Sequence, residues 1–362
     1  CFLGNHSEKK LHFRVESAYY LIDNGYDAVE YDLANMDYDY TEFSNLISLL
    51  DAPIIGVTGY TRERFHAYRL IKAIRKACPS ALIIVGGHHF GFLANETLDN
   101  LPEVDIVVRG EGEITFKEIC DAVYEKGGLD GINGITYQDR SNINIMTNKP
   151  MIIENNDAKL ERNLGAFRTW DESDFKEVWK KQVNKSKLDP MRKYFTVMAT
   201  RGCPSNCNFC SLSTDIVRFR PISHVLDEIE GKIRITGLRN VSFKDSSLTI
   251  NKSFVRALCD GILERNLNIR WNCYSRADMS HELIAYMRKA GCISVEVALE
   301  SGSPRILKSI GKGINLEKYL SFVEKAHSLG IKVWVFLIVS LTDETYEDAL
   351  KTLELLKKSA PF

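Results

Sequence analysis

The chain has 362 residues, with 47 Lys and Arg balanced by 48 Asp and Glu for a net charge of −1. Hydrophobic residues make up 44% and charged residues 26%, the mix of a folded globular protein and not of a disordered or fibrous one. Interspersed charge gives no electrostatic basis for binding nucleic acid or an acidic membrane, no apolar run is long enough to span a bilayer, and no secretory signal opens the chain.

A chain of this length is expected to hold two domains, each burying its own core. Short apolar runs at 1–4, 27–33, 53–58, 81–86 and 104–108 read as strands, and helix-period stretches at 11–24, 41–50, 62–77 and 113–126 lie between them. This alternation predicts βαβ units and an α/β domain over 1–128 with a doubly wound, parallel, Rossmann-like sheet. Turns at the carboxyl ends of the strands are rich in glycine: Gly56 and Gly59, then Gly86-Gly87-His88-His89, then Arg109-Gly110-Glu111-Gly112-Glu113. Ligands of open α/β sheets bind at that edge. No G-x-G-x-x-G follows a strand, so a dinucleotide is not the expected ligand.

Residues 129–192 change character: alternating runs around Gly131–Tyr137 and Asn142–Met146 suggest a small hairpin, and a polar, charged stretch through Pro190 suggests a linker. From 193 to 362 the βα rhythm returns. Strands are predicted at 194–200, 240–245, 268–275, 293–300 and 331–339, and helices at 222–231, 252–265, 280–290, 303–310, 316–329 and 344–359. Five successive βα units with right-handed crossovers predict a (β/α) barrel or part of one. The chain ends where a sixth strand would follow, so it is expected to be truncated there; it also begins at Cys1, without an initiator Met.

Just after the first of these strands comes Arg201-Gly-Cys203-Pro-Ser-Asn-Cys207-Asn-Phe-Cys210, with C-x3-C-x2-C spacing and no fourth cysteine nearby. Gly202 and Pro204 mark an irregular loop, unlike the core positions where ordinary buried thiols sit. Zinc would want a second close pair of ligands, which is missing. Soft thiolates suit iron–sulfur centres, and three of them on a [4Fe-4S] cluster leave one iron free to bind a molecule that is not protein. The other six cysteines, at 1, 78, 120, 259, 273 and 292, form no disulfide pattern, which favours a reducing cytoplasmic setting.

Taken together, these features resemble the radical S-adenosylmethionine (SAM) superfamily in the second half of the chain, and in the first half the cobalamin-binding domain fused to many of its members. Val85-Gly-Gly-His-His89 and Asp105–Glu113 are similar to the signatures of that domain. Val217–Ile229, Phe243-Lys-Asp-Ser-Ser247 and Val297–Ser303 fit the barrel half. By this resemblance Cys203, Cys207 and Cys210 hold the cluster, whose open iron takes the amino and carboxylate groups of SAM. Reduction then cleaves SAM to methionine and a 5′-deoxyadenosyl radical. The resemblance further implies Phe209 near the adenine, Asp245 and Ser246 at the methionyl amine, and Arg276, Glu300 and Ser301 at the carboxylate or ribose. Ile338, Val339 and Ser340 would flank the adenine, although Ser340-Leu-Thr-Asp343 replaces the family's Gly-Leu-Pro-Gly turn.

The same resemblance places cobalamin against Thr58, Gly59, Gly86, Gly87, His88, Gly110, Glu111 and Gly112. The D-x-H-x-x-G motif that supplies an axial histidine is not reproduced: around His6, Gly4 stands for the Asp and Lys9 for the Gly. His6 is therefore expected to be a surface turn residue, without the carboxylate that would orient its imidazole. The implied activity is methyl transfer to an unactivated carbon of a small-molecule or lipid substrate, with an external electron donor such as flavodoxin or ferredoxin. Alternatives are a non-methylating radical reaction, such as cyclisation or rearrangement, and a non-catalytic corrinoid carrier. A tRNA methylthiotransferase would need three further cluster cysteines in the first domain, which the scattered Cys1, Cys78 and Cys120 do not provide.

Overall fold

A computed structural model describes residues 2–5, 16–28, 30–32, 39–49, 51–166, 170–172, 175–176, 194–210, 216–277 and 279–359. The chain divides into two compact units, Cys1–Glu161 with 167–169, and Arg162–Ala166 with Trp170–Phe362.

The first unit is built on a seven-stranded sheet in the order β2-β1-β3-β4-β5-β6-β7. Strands β1 (Phe2–Asn5), β2 (Glu30–Asp32), β3 (Ile54–Gly59), β4 (Leu82–Gly86) and β5 (Ile106–Val108) are parallel, as the βαβ reading expects. Each central strand is apolar on both faces because helices cover both. Ile55, Val57, Ile83 and Val85 pack on one side with Leu70, Ile71 and Ile74 of the helix Arg64–Ala77. Ile54, Ile84, Ile106 and Val108 pack on the other, with Phe116 and Ile119 of the helix Glu113–Tyr124.

Two features differ from expectation. The expected hairpin is present as β6 (Ile135–Asn144) and β7 (Lys149–Glu154), but it extends this sheet antiparallel from β5, so the first compact unit runs past 128 to Glu161. Arg109 ties it down, donating to Glu154 at 2.7 Å and Asp157 at 2.8 Å. The glycine pair after β4 is also more than a turn, since it leads into two short helices, Gly87–Phe92 and Ala94–Asn100. His6 lies outside the described residues.

The second unit holds a five-stranded parallel sheet in the order β14-β13-β12-β11-β8. Its strands are β8 (Phe195–Val197), β11 (Asn240–Phe243), β12 (Arg270–Ser275), β13 (Cys292–Glu300) and β14 (Lys332–Leu337), each within or close to its predicted range. The strands are joined in sequence order through helices, an open part of a (β/α) barrel. Val241, Phe243, Trp271, Cys273, Val295 and Val297 meet the helices in one apolar core.

The helix Ile222–Thr236 runs five residues past its predicted end at 231, straight through Gly231. The indole of Trp170 occupies the space where a Cβ at Gly231 would project, so the packing explains the glycine. The helix stops at Gly237, whose φ of +68° suits glycine.

Beneath β8 sits a buried charge network. Glu228 accepts from Arg220 at 2.7 Å and pairs with Lys232, and all three are at most 7% exposed. The same two cations donate to the carbonyls of Met198, at 2.6 Å, and Thr196, at 2.9 Å. The backbone just before the cysteine loop is thereby fixed from below. Glu228→Ala would leave two buried cations without their carboxylate, a loss of about 3–5 kcal/mol. Urea unfolding of the variant should show a midpoint well below that of the native protein, and an unchanged midpoint would refute the assignment.

Candidate active site

The cysteine loop is bracketed by a two-stranded ribbon in which β9 (Thr200–Arg201) pairs antiparallel with β10 (Arg218–Phe219). Gly202, at φ +94°, turns the chain out of the ribbon in a conformation only glycine adopts freely. Cys207 is buried while Cys203 and Cys210 are partly exposed, and the Cys210 amide donates to the Cys207 carbonyl at 3.0 Å. Burial pushes the Cys207 thiol above its ordinary value; Lys312 opposes this, and Cys210 and Cys203 add to the rise. No three His, Cys, Asp or Glu side chains among the described residues converge on a single metal ion.

The other wall of the loop comes from the segment after the helix Pro304–Ser309. The Asn208 amide donates to the Ile310 carbonyl at 3.2 Å and its side chain to the Ser309 carbonyl at 3.1 Å. A Cβ on Gly311 would lie 2.7 Å from the Asn206 carbonyl oxygen, so only glycine allows this approach. Lys312 follows, donating to Glu300 at 3.0 Å and lying 5.7 Å from the centre of the Phe209 ring. Sequence reasoning passed over this lysine. Its signal was the Gly311-Lys312-Gly313 turn, both of whose glycines have positive φ.

Asp245, at the end of β11, is fully buried. Its Oδ1 accepts from the amides of Ala199, at 2.9 Å, and Thr200, while its Oδ2 is buried without a partner. The hydroxyls of Thr200 and Ser247 are likewise buried and unpartnered. Such atoms are costly without a ligand and suit a polar one. Loss of solvent raises the Asp245 carboxyl to about 6, against the lowering effect of its hydrogen bonds from Thr200 and Ala199. Ser246 is exposed; the hydroxyl turned inward is that of Ser247.

Arg276 extends to Ser205 in the cysteine loop at 3.5 Å, and its amide donates to Thr249 at 3.0 Å. Glu300 is 6% exposed and left-handed at φ +69°, and its carbonyl accepts from Ile338 at 3.1 Å. Ser301 is fully buried, its hydroxyl accepting from the Ser303 amide at 3.1 Å. Val339 is 83% exposed, and the Ser340 amide donates to Glu344 at 2.8 Å, so of 338–340 only Ile338 is tied to the site. The structure therefore gathers the three cysteines, Phe209, Arg276, Glu300 and Lys312 around one loop, with Asp245 at its base.

In the first unit the expected edge is formed by Thr58 and Gly59 ending β3, Gly86 and Gly87 ending β4, and Gly110–Gly112 following β5. The Thr58 hydroxyl donates to the Gly86 carbonyl at 3.3 Å, and a Cβ on Gly87, at φ +83°, would collide with that hydroxyl. Gly110, at φ +78°, has open space where its Cβ would be. A bare glycine edge of this kind lets a large flat ligand meet backbone directly. His88 is exposed and stacks on Tyr60 at 5.6 Å. His89 points inward to the Tyr68 hydroxyl at 2.8 Å, and burial lowers its imidazole.

Comparison with known proteins matches residues 197–356 to the radical SAM superfamily and residues 18–120 to the B12 binding domain. An uncharacterised methyltransferase of Pyrococcus horikoshii is 30% identical over 326 residues, covering 89% of this chain and 68% of that protein. An anaerobic magnesium-protoporphyrin IX monomethyl ester cyclase of Rubrivivax gelatinosus is 26% identical, covering 94% of this chain and 61% of the relative. The cobalamin-dependent SAM radical enzyme OxsB, solved with aqua-cobalamin and SAM, superposes with a TM-score of 0.81 at 19% identity, over 98% of this chain and 51% of its own. The chain thus spans between about half and two thirds of these proteins.

The buried Asp245 makes stability depend on pH. Its folded-state value, about 6, lies above that of an unfolded aspartate, so its contribution is full below pH about 4 and is lost as pH rises through about 6. Asp245→Asn keeps an acceptor for Ala199 and Thr200 but has no proton to lose. Urea unfolding from pH 4 to 7 should show the native protein losing about 2–3 kcal/mol relative to the variant, the size of a two-unit shift. Parallel curves would refute it.

Proposed function

The chain belongs to the radical SAM superfamily and carries a B12 binding domain, and from that premise we propose that it is a cobalamin-dependent radical SAM enzyme transferring a methyl group to an unactivated carbon. The observation that carries this reading is the three-thiol loop set against buried, unpartnered polar atoms of Asp245, Thr200 and Ser247. Bound there, the [4Fe-4S] cluster and SAM would supply a 5′-deoxyadenosyl radical, and cobalamin the methyl group.

The residues divide the work by their chemistry. Cys203, Cys207 and Cys210 hold the cluster, and the nearby Lys312 favours the thiolate form of Cys207. The unpartnered Asp245 Oδ2 is suited to accept from an ammonium, with Ser247 and Thr200 adding hydroxyls. Arg276 and Lys312 offer cations to a carboxylate, and Glu300 offers an acceptor to ribose hydroxyls. Phe209 gives a flat face for the adenine. Ile338 closes the adenine side, and Ser301 positions the turn after Glu300 without touching the ligand. In the first unit the glycine edge at Gly59, Gly86, Gly87 and Gly110–Gly112, with Thr58 and His88, cradles the corrin.

The substrate is a small molecule or lipid, and electrons come from an external donor such as flavodoxin or ferredoxin. Free thiols at all eight described cysteines support a reducing, cytoplasmic setting. No described helix is long and apolar enough to cross a membrane. The similarity to the Rubrivivax cyclase favours a second reading, in which the same radical closes a ring without transferring a methyl group.

Turnover of the anaerobically purified, cluster-reconstituted protein with methyl-labelled SAM separates the two. Label in product is expected; unlabelled, cyclised product would favour the second reading. Absence of 5′-deoxyadenosine would sink both. Cys203→Ala should abolish that product. Lys312→Gln should weaken SAM binding about tenfold or more through loss of a charge-assisted contact, which equilibrium dialysis would measure.

A further inference from the structure

The five-stranded sheet of the second unit has two unlike faces. Side chains alternate along each strand, so those opposite in parity to the core-forming valines, Phe243 and Trp271 point away from the helices. On that inner face Tyr274, Glu296 and Trp334 stand side by side, in register across β12, β13 and β14. Asn272 donates to Glu296 at 2.9 Å, and the phenol of Tyr274, raised above its ordinary value chiefly by burial and further by this carboxylate, is its neighbour. The Tyr274 ring lies 6.0 Å from that of Phe336, and its other neighbour is the Lys244 ammonium, 5.2 Å from the ring centre. Trp334 is 61% exposed and Phe336 45%, among the largest aromatic surfaces this unit leaves open.

A carboxylate has about four lone-pair sites, and the Asn272 amide takes one of them. Among the described strand residues of this face, Glu300 is the only other acid. An aromatic surface prefers offset or edge-on contact with another flat ring. A site built to accept an N–H bond rejects a ring of the same shape that lacks one. We infer that Tyr274, Glu296, Trp334 and Phe336 select the substrate, which is a flat apolar ring compound presenting an N–H donor to Glu296. The inference rests on reading the chain as a radical enzyme that acts on a small molecule.

Indole and indene are suitable probes, since they share a shape and differ by one N–H for CH2. Binding to the holoprotein is followed by NMR titration without SAM or turnover. The native protein should bind indole about tenfold more tightly than indene. Glu296→Leu should remove that preference, and the isosteric Glu296→Gln, which guards against misfolding, should reduce it. Trp334→Ala should weaken both probes about tenfold, the loss of one aromatic contact and its buried area. Equal affinity for the two probes, no detectable binding of either, or a preference that survives both Glu296 changes would overturn the inference. Failure of the underlying reading is seen separately, as absence of SAM cleavage by the native holoenzyme.

Discussion

Asp245 is a carboxylate without solvent, and the entry to the cysteine loop is arranged around what that requires. It ends β11 and accepts from two successive amides, Ala199 and Thr200, where the first strand gives way to the cysteine loop. Backbone donors left buried here would cost about as much as a lost hydrogen bond each. One side chain therefore decides where the loop begins. The Glu228 network works on the same stretch from the other side, through the carbonyls of Thr196 and Met198. Between them they claim the amides of Ala199 and Thr200 and the carbonyls of Thr196 and Met198, and the loop leaves from a fixed platform.

Beyond that platform the loop is shaped by close approach, with little apolar burial. Asn208 leans on the carbonyls of Ser309 and Ile310, and Gly311 comes too near Asn206 for any side chain. These contacts place Lys312 where it can touch Glu300 and Phe209 at once. A single cation joins the ends of two βα units, one that bears the thiols and one that bears Glu300. Positioning of this kind relies on backbone geometry, which substitution at the glycines would disturb before any change of charge.

Much of this was legible in the sequence, and the reasons differ by element. The parallel strands were plain because apolar runs of about five residues alternate with helix-period stretches, and Cys203, Cys207 and Cys210 announced themselves by spacing. Asp245 and Glu300 could be placed at strand ends by the same rhythm. Lys312 could not, because a lysine between two glycines reads as an ordinary solvated turn until Glu300 and Phe209 are found beside it. The inward turn of Ser247 beside the expected Ser246 could not be read, since a one-residue choice in a loop has no periodicity to guide it. The hairpin at 135–154 could be read from its alternation, but its place could not, because only pairing with β5 makes it part of the first unit's sheet. The helix expected to end at 231 runs on to Thr236, and the indole of Trp170 fills the space that a side chain at Gly231 would need.

Glu300 combines a left-handed backbone with a buried carboxylate. An L-residue there carries about 1–2 kcal/mol of conformational strain that glycine would not. Glycine at 300 would relieve that strain but leave Lys312 without its carboxylate, a loss larger than the strain it removes. The ion pair beside the thiols thus holds an acid in a backbone conformation that would otherwise select glycine.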